Sequence, residues 1–210
     1  MKVFVWISSA IFFLTACTTD THYAYISEAD MRQFGNPRQE LILYLPDGSD
    51  SMALSLDGPR VDKSTYETSQ FYGLKRTRTE AESRWFTYTY LNGNGNIHIG
   101  LSSDGDGVHK RPLPQGRSLL QIQPDISGGA YFSVFCQNGA LIPPEPQTNC
   151  TLTHYPNDTI HHSSGNYTGY YRLERTQPWP GWLLWTAVWI RPGQVLAGLE
   201  TAAGILYLSR

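Results

Sequence analysis

Between Arg84 and Leu101 the chain alternates apolar and polar residues on either side of Asn92-Gly93-Asn94-Gly95, and this pattern restricts the fold more than any other. Successive side chains on a strand point to opposite faces, so Phe86, Tyr88 and Tyr90 share one face, as do Ile97, Ile99 and Leu101. Asn-Gly pairs accept the positive φ of a tight hairpin turn, which makes the two runs neighbouring antiparallel strands. The pattern recurs upstream: Leu41, Leu43 and Leu45 alternate, Pro46-Asp47-Gly48-Ser49 turns the chain, and Met52, Leu54 and Leu56 alternate before Asp57-Gly58-Pro59. It recurs downstream in Leu120 and Ile122, and in Ala130, Phe132, Val134 and Cys136, which end at Asn138-Gly139. Cys150 to Tyr155 and Tyr167 to Leu173 are read as further strands, the second presenting Tyr167, Tyr171 and Leu173 together. Tyr66 to Thr77 is read as a polar strand. These spacings, with 13 tyrosines favouring extended backbone, predict an all-β chain: an antiparallel β-sandwich or barrel with hairpin connections.

One short N-terminal helix is expected over Ser27 to Phe34, with Ser27 as its N-cap, Asp30 in the first turn and Gly35-Asn36-Pro37 as its stop. Near the other end, Trp182 to Ile190 is apolar on both faces. As a helix it would carry Trp182, Trp185 and Trp189 on one stripe; as a strand it would be buried, with Arg191-Pro192-Gly193-Gln194 turning into Val195 to Leu208. The crowding of aromatic and β-branched residues in a run of strand length favours the strand.

The first residues have a different character. Lys2 precedes an apolar run from Val3 to Leu14, too short for a permanent membrane span, and Leu14-Thr15-Ala16-Cys17 ends it with small residues before a cysteine. This resembles the lipobox signal of bacterial lipoproteins, a processing class that covers Met1 to about Thr18 and names no globular family. The resemblance implies removal of residues 1–16 as a signal peptide, a diacylglycerol on Cys17, and an outer-membrane destination because Thr18 rather than aspartate follows. Two or more acyl chains anchor durably where one binds reversibly. Residues 17–26 are then expected as a lipidated, mobile tether, and 27–210 as a single β-rich globular domain.

Two cysteines remain. Cys136 and Cys150 are predicted to form a disulfide, because an exported chain meets an oxidising compartment and the stretch between them, with Pro143, Pro144 and Pro146, has no periodic apolar pattern of its own. The balance of 16 basic against 18 acidic side chains leaves no positive field for nucleic acid. Ser102 to Gly107 has the alternating aspartates of a calcium loop but lacks the closing acidic ligand, Gln115 standing at that place. His154, His161 and His162 lie near Asp158, yet adjacent strand residues face opposite ways, so no metal site is assigned. Asp158, His161 and Ser163 without a G-x-S-x-G elbow are not read as a hydrolase triad, and no catalytic residue or cofactor is assigned. Pro178-Trp179-Pro180-Gly181-Trp182 is the candidate binding element, because a rigid turn that projects two indole rings suits a sugar face or a protein partner.

The resulting expectation is a non-enzymatic binding or scaffolding protein of the cell envelope, membrane-held through its lipid, with an envelope protein or a glycan as partner. A glycan- or polymer-binding module and an envelope hydrolase with a nonstandard site are the alternatives. Metabolic labelling with palmitate tests the anchor: the wild-type chain should carry label and stay with membranes, and Cys17→Ala should lose both.

Overall fold

Alternating burial carries the hairpin pattern into three dimensions, as in Glu40–Tyr44, where Leu41 and Leu43 are buried between exposed neighbours. The computed structural model describes residues 18–37, 40–70, 75–90, 95–103, 113, 117–124, 132–142, 150–162, 165–176, 185–201 and 203–209. The readings placed on Cys17, Asp104, Asp106, Ser163, Trp179 and Trp182 lie outside these residues, as does the side chain of His162. In chain order the elements are β1 (Thr18–Ala24), α1 (Glu28–Phe34), β2 (Glu40–Tyr44), β3 (Ser51–Gln70), β4 (Lys75–Tyr90), β5 (Asn96–Ser102), β6 (Arg117–Pro124), β7 (Phe132–Gln137) and β8 (Ala140–Ile142). They continue with β9 (Cys150–Tyr155), β10 (Ile160–His162), β11 (Gly165–Tyr167), β12 (Tyr170–Arg175), β13 (Trp185–Arg191), β14 (Val195–Thr201) and β15 (Leu206–Ser209).

Twelve strands follow one path, β8-β7-β6-β5-β4-β3-β2-β15-β14-β13-β12-β9, and the sheet curls until it nearly closes into a barrel. Across the seam the Cys150 thiol donates to the Ser133 carbonyl at 3.5 Å. The interior is filled by Leu43, Leu54, Tyr88, Ile97, Ile99, Leu120, Ile122, Phe132, Leu173 and Ile190. Burying side chains of this size contributes roughly 1.5–3 kcal/mol each. The 182–190 region is a strand where it is described, and a register shift between Trp185 and Ala187 changes which face each residue occupies. Trp185 therefore stacks on Phe132 inside the barrel, whereas Trp189 packs on Tyr155 and Tyr170 outside it.

The short helix closes one end of this barrel. Ser27 caps it by accepting from the Asp30 N–H at 3.1 Å, and Ile26 and Phe34 enter the core. Asp30 is fully buried; its carboxylate accepts from the Gly139 N–H at 2.7 Å and the Ser118 hydroxyl at 3.0 Å. The Gln33 carbonyl accepts from the Gly193 N–H at 2.8 Å. The helix is thus fastened to two hairpin turns, β7–β8 and β13–β14.

At the same end β3 and β4 run on beyond their barrel neighbours. β2 accompanies β3 only over Ser51 to Ser55, and β5 accompanies β4 only over Ser83 to Thr89, but β3 and β4 stay paired to Gln70 and Lys75. This leaves an arm with exposed polar residues on both faces, among them Lys63, Thr65, Glu67, Thr68, Arg76 and Arg78. β1 lies parallel on β4 along this arm, from Thr18 opposite Lys75 to Ala24 opposite Ala81. Ser103 joins β1 to the barrel, its hydroxyl donating to the Ala24 carbonyl at 2.7 Å and accepting from the Glu82 N–H at 3.0 Å.

Two expectations are corrected. Residues 18–24 form a strand and not a mobile tether, because β4 outlasts β5 and its free edge satisfies main-chain groups without requiring apolar side chains. Tyr167 to Leu173 is not one strand: the chain breaks at Thr168-Gly169, so Tyr167 belongs to the β10–β11 hairpin while Tyr171 and Leu173 reach the core.

Removing the Asp30 carboxylate leaves a buried N–H and a buried hydroxyl without their acceptor. Asp30→Ala should lower the unfolding free energy by about 2–4 kcal/mol in urea titration. Asp30→Asn keeps an acceptor for Gly139 and should lose less.

Candidate groove at the foot of the arm

The outer face of the β3–β4–β5 region holds a groove of about 590 Å³, lined by Asp57, Gly58, Pro59, Arg60, Asp62, Trp85, Thr87 and His98. Strand alternation places its members. Phe86 and Tyr88 turn into the core, so Trp85 and Thr87 point outward, and Gly100 and His98 stand opposite them on β5. On the other side Asp57 pairs with Thr87 and Arg60 with Trp85, and the ladder shifts between them, where the two residues Gly58 and Pro59 stand opposite the single residue Phe86. Such a bulge bends the strand and re-aims its side chains. Only glycine fits at position 58: its φ is +122° and an added Cβ would lie 3.0 Å from the Trp85 carbonyl oxygen.

Trp85 is half-buried, with its indole laid over Gly100. A Cβ at position 100 would come within 2.4 Å of Cζ3 and 2.6 Å of Cε3, so the missing side chain is what lets the ring lie against the strand. Around this ring stand hydrogen-bonding groups of both kinds. Thr87 Oγ1 and His98 Nδ1 share a hydrogen bond of 2.9 Å, which orients the imidazole. Arg60 Nε donates to Asp62 Oδ1 at 3.1 Å, an exposed pair whose rearrangement around a ligand costs little. An aromatic plane bordered by carboxylates, a guanidinium, a hydroxyl and an imidazole can stack an apolar face and hydrogen-bond its polar edge at once.

The other predicted site residues are placed as follows. Cys136 and Cys150 are buried free thiols, so the predicted disulfide is not formed. The reason is strand geometry: Cys150 sits beside Ser133 at one end of β7, and Cys136 lies three residues further along it, about 10 Å at 3.3 Å per residue, beyond the reach of a disulfide. His154 stacks on Tyr171 with ring centroids 4.2 Å apart. His161 is exposed, with Nδ1 3.0 Å from Asn166 Oδ1, and Asp158 is exposed. Among the described residues no group of three His, Cys, Asp or Glu side chains is placed to share a metal ion.

Sequence reasoning treated Asp57-Gly58-Pro59 as a turn and Trp85 as one residue of a hairpin. The available signal was the pairing of a tryptophan with a glycine at the foot of the clearest hairpin, beside a Gly-Pro that interrupts a strand. No protein-family model, curated protein or solved structure matches this chain.

Burial raises both thiols above their ordinary value, with the nearby Asp30 charge adding to the effect at Cys136. The unfolded chain therefore loses thiol protons that the native state keeps, so this contribution to stability is complete below about pH 8.5 and declines as pH rises above it. Maleimide without reductant should modify neither Cys136 nor Cys150 in the native protein, and both after denaturation. Cys136→Ala should flatten the alkaline loss of stability.

Proposed function

We propose that this protein is a lipid-anchored component of the bacterial envelope, held at the outer membrane through Cys17, that acts by binding and takes a glycan on the face of Trp85. The observation that carries this reading is the indole laid over Gly100 with Asp57, Arg60, Asp62, Thr87 and His98 around it. A pyranose offers an apolar C–H face and a rim of hydroxyls that are both donors and acceptors. The ring answers the first; the carboxylates, guanidinium and imidazole answer the second. The ring's orientation is set by the backbone beneath it and not by a loop, which lowers the ordering cost of binding. The leader supports the envelope address, and the absence of an assigned catalytic constellation in the sequence favours binding over turnover.

Glycan-array binding of the full-length chain, purified from membranes in detergent, tests the reading. Trp85→Ala should weaken binding by about tenfold or more while leaving the melting temperature nearly unchanged, since the ring is outside the barrel core. Gly100→Ala should do the same by pushing the ring off the strand. Binding undiminished in both variants overturns the proposal.

A further inference from the structure

The position of β1 says where an anchor on Cys17 would sit. Cys17 immediately precedes Thr18, and Thr18 lies opposite Lys75, the residue that also pairs with Gln70 at the far end of the β3–β4 arm. An acyl group on Cys17 therefore leaves the protein at the arm's tip and not beside the barrel. From Lys75 to Trp85 along β4 is ten residues, about 33 Å at 3.3 Å per residue. From Lys75 to Ala81 β4 is flanked by β3 on one side and β1 on the other, and from Ser83 β5 takes the place of β1, so the arm is a three-stranded ribbon whose main-chain groups are largely paired. One face buries Thr79 and Ala81, and the other exposes Lys63, Thr65, Glu67, Arg76 and Arg78 around the apolar Tyr23 and Val61, so among the described residues the ribbon has no continuous apolar side with which to lie on a bilayer. Arg78 is ion-paired with Glu80 at 3.4 Å, but at the outermost rungs, where Thr18, Thr19, Ser69 and Gln70 face Lys75 and Arg76, the charges are both basic, which suits anionic headgroups.

We propose that the arm is a membrane spacer: its tip meets the anionic bilayer surface where the lipid inserts, and its length holds the Trp85 groove about 30 Å away. The inference rests on the lipid-anchored reading of Cys17. It implies that the groove meets material beyond the headgroup layer, not the headgroups of the leaflet that carries the anchor.

The test uses the full-length lipidated protein in phosphatidylglycerol-containing liposomes with acceptor-labelled lipids. Ser69→Cys and Val61→Cys, both at exposed arm positions, are labelled with a donor dye in separate samples while the native thiols stay buried. The expected result is strong energy transfer from Ser69 and much weaker transfer from Val61, corresponding to a plane roughly 25 Å more distant. Equal strong transfer from both positions means the arm lies flat and overturns the spacer while leaving the anchor intact. Failure of the wild-type protein to float with liposomes, with no transfer from either label, removes the anchor and the spacer with it.

Discussion

The carboxylate of Asp30 is the constraint around which this barrel is closed. A buried carboxylate is costly unless its oxygens are hydrogen-bonded, and here one oxygen takes the Gly139 N–H and the other the Ser118 hydroxyl. These partners belong to β6 and to the β7–β8 turn, far from Asp30 in sequence, so the bonds form only when the sheet has curled around the helix. The helix is two turns long and would not persist alone. Its cap at Ser27 is local, but its apolar residues Ile26 and Phe34 are buried only as part of the core cluster they share with the barrel.

From that closed end the molecule divides its aromatic residues by face. Tyr88, Phe132 and Trp185 fill the interior, while Tyr155, Tyr170 and Trp189 form an outer stack beside the β10–β11 hairpin. Trp85 belongs to neither group. It occupies the outer face where β2 has ended, β3 is bulged and β5 carries glycine, and there it is half-buried. The same change in partners that exposes Trp85 begins the arm, and this is why groove and arm meet at one place.

Local patterns made most elements legible. The hairpin around 45–50, the pairing of β4 with β5 and the capped helix follow from alternation, turn residues and caps, and the strand character of Trp185–Arg191 follows from its crowded aromatic and β-branched residues, all of which act over a few residues. The arm was harder to read because its sequence lacks an apolar face; Tyr66 to Thr77 shows β propensity but nothing that says how far the strands extend or what pairs with them. The supposed tether at residues 18–24 shows the limit most clearly. Its polar residues carry no strand pattern, and they are a strand because β4 offers an unpaired edge. The cysteines differ for a related reason: an oxidising compartment and an unpatterned stretch between them predict a bridge, but β9 meets β7 with Cys150 at Ser133, three residues along the strand from Cys136.

What the amino-acid sequence determined by itself is the period of the backbone, the turns and the helix cap, because each depends on neighbours within a turn or a strand. Only the tertiary structure decided that the sheet nearly closes into a barrel, that Cys136 and Cys150 stay apart, that β1 runs along the arm, and that Trp85 lies over Gly100. Those outcomes depend on pairing between segments distant in the chain, and strand register, once set across the sheet, places side chains that local patterns leave free.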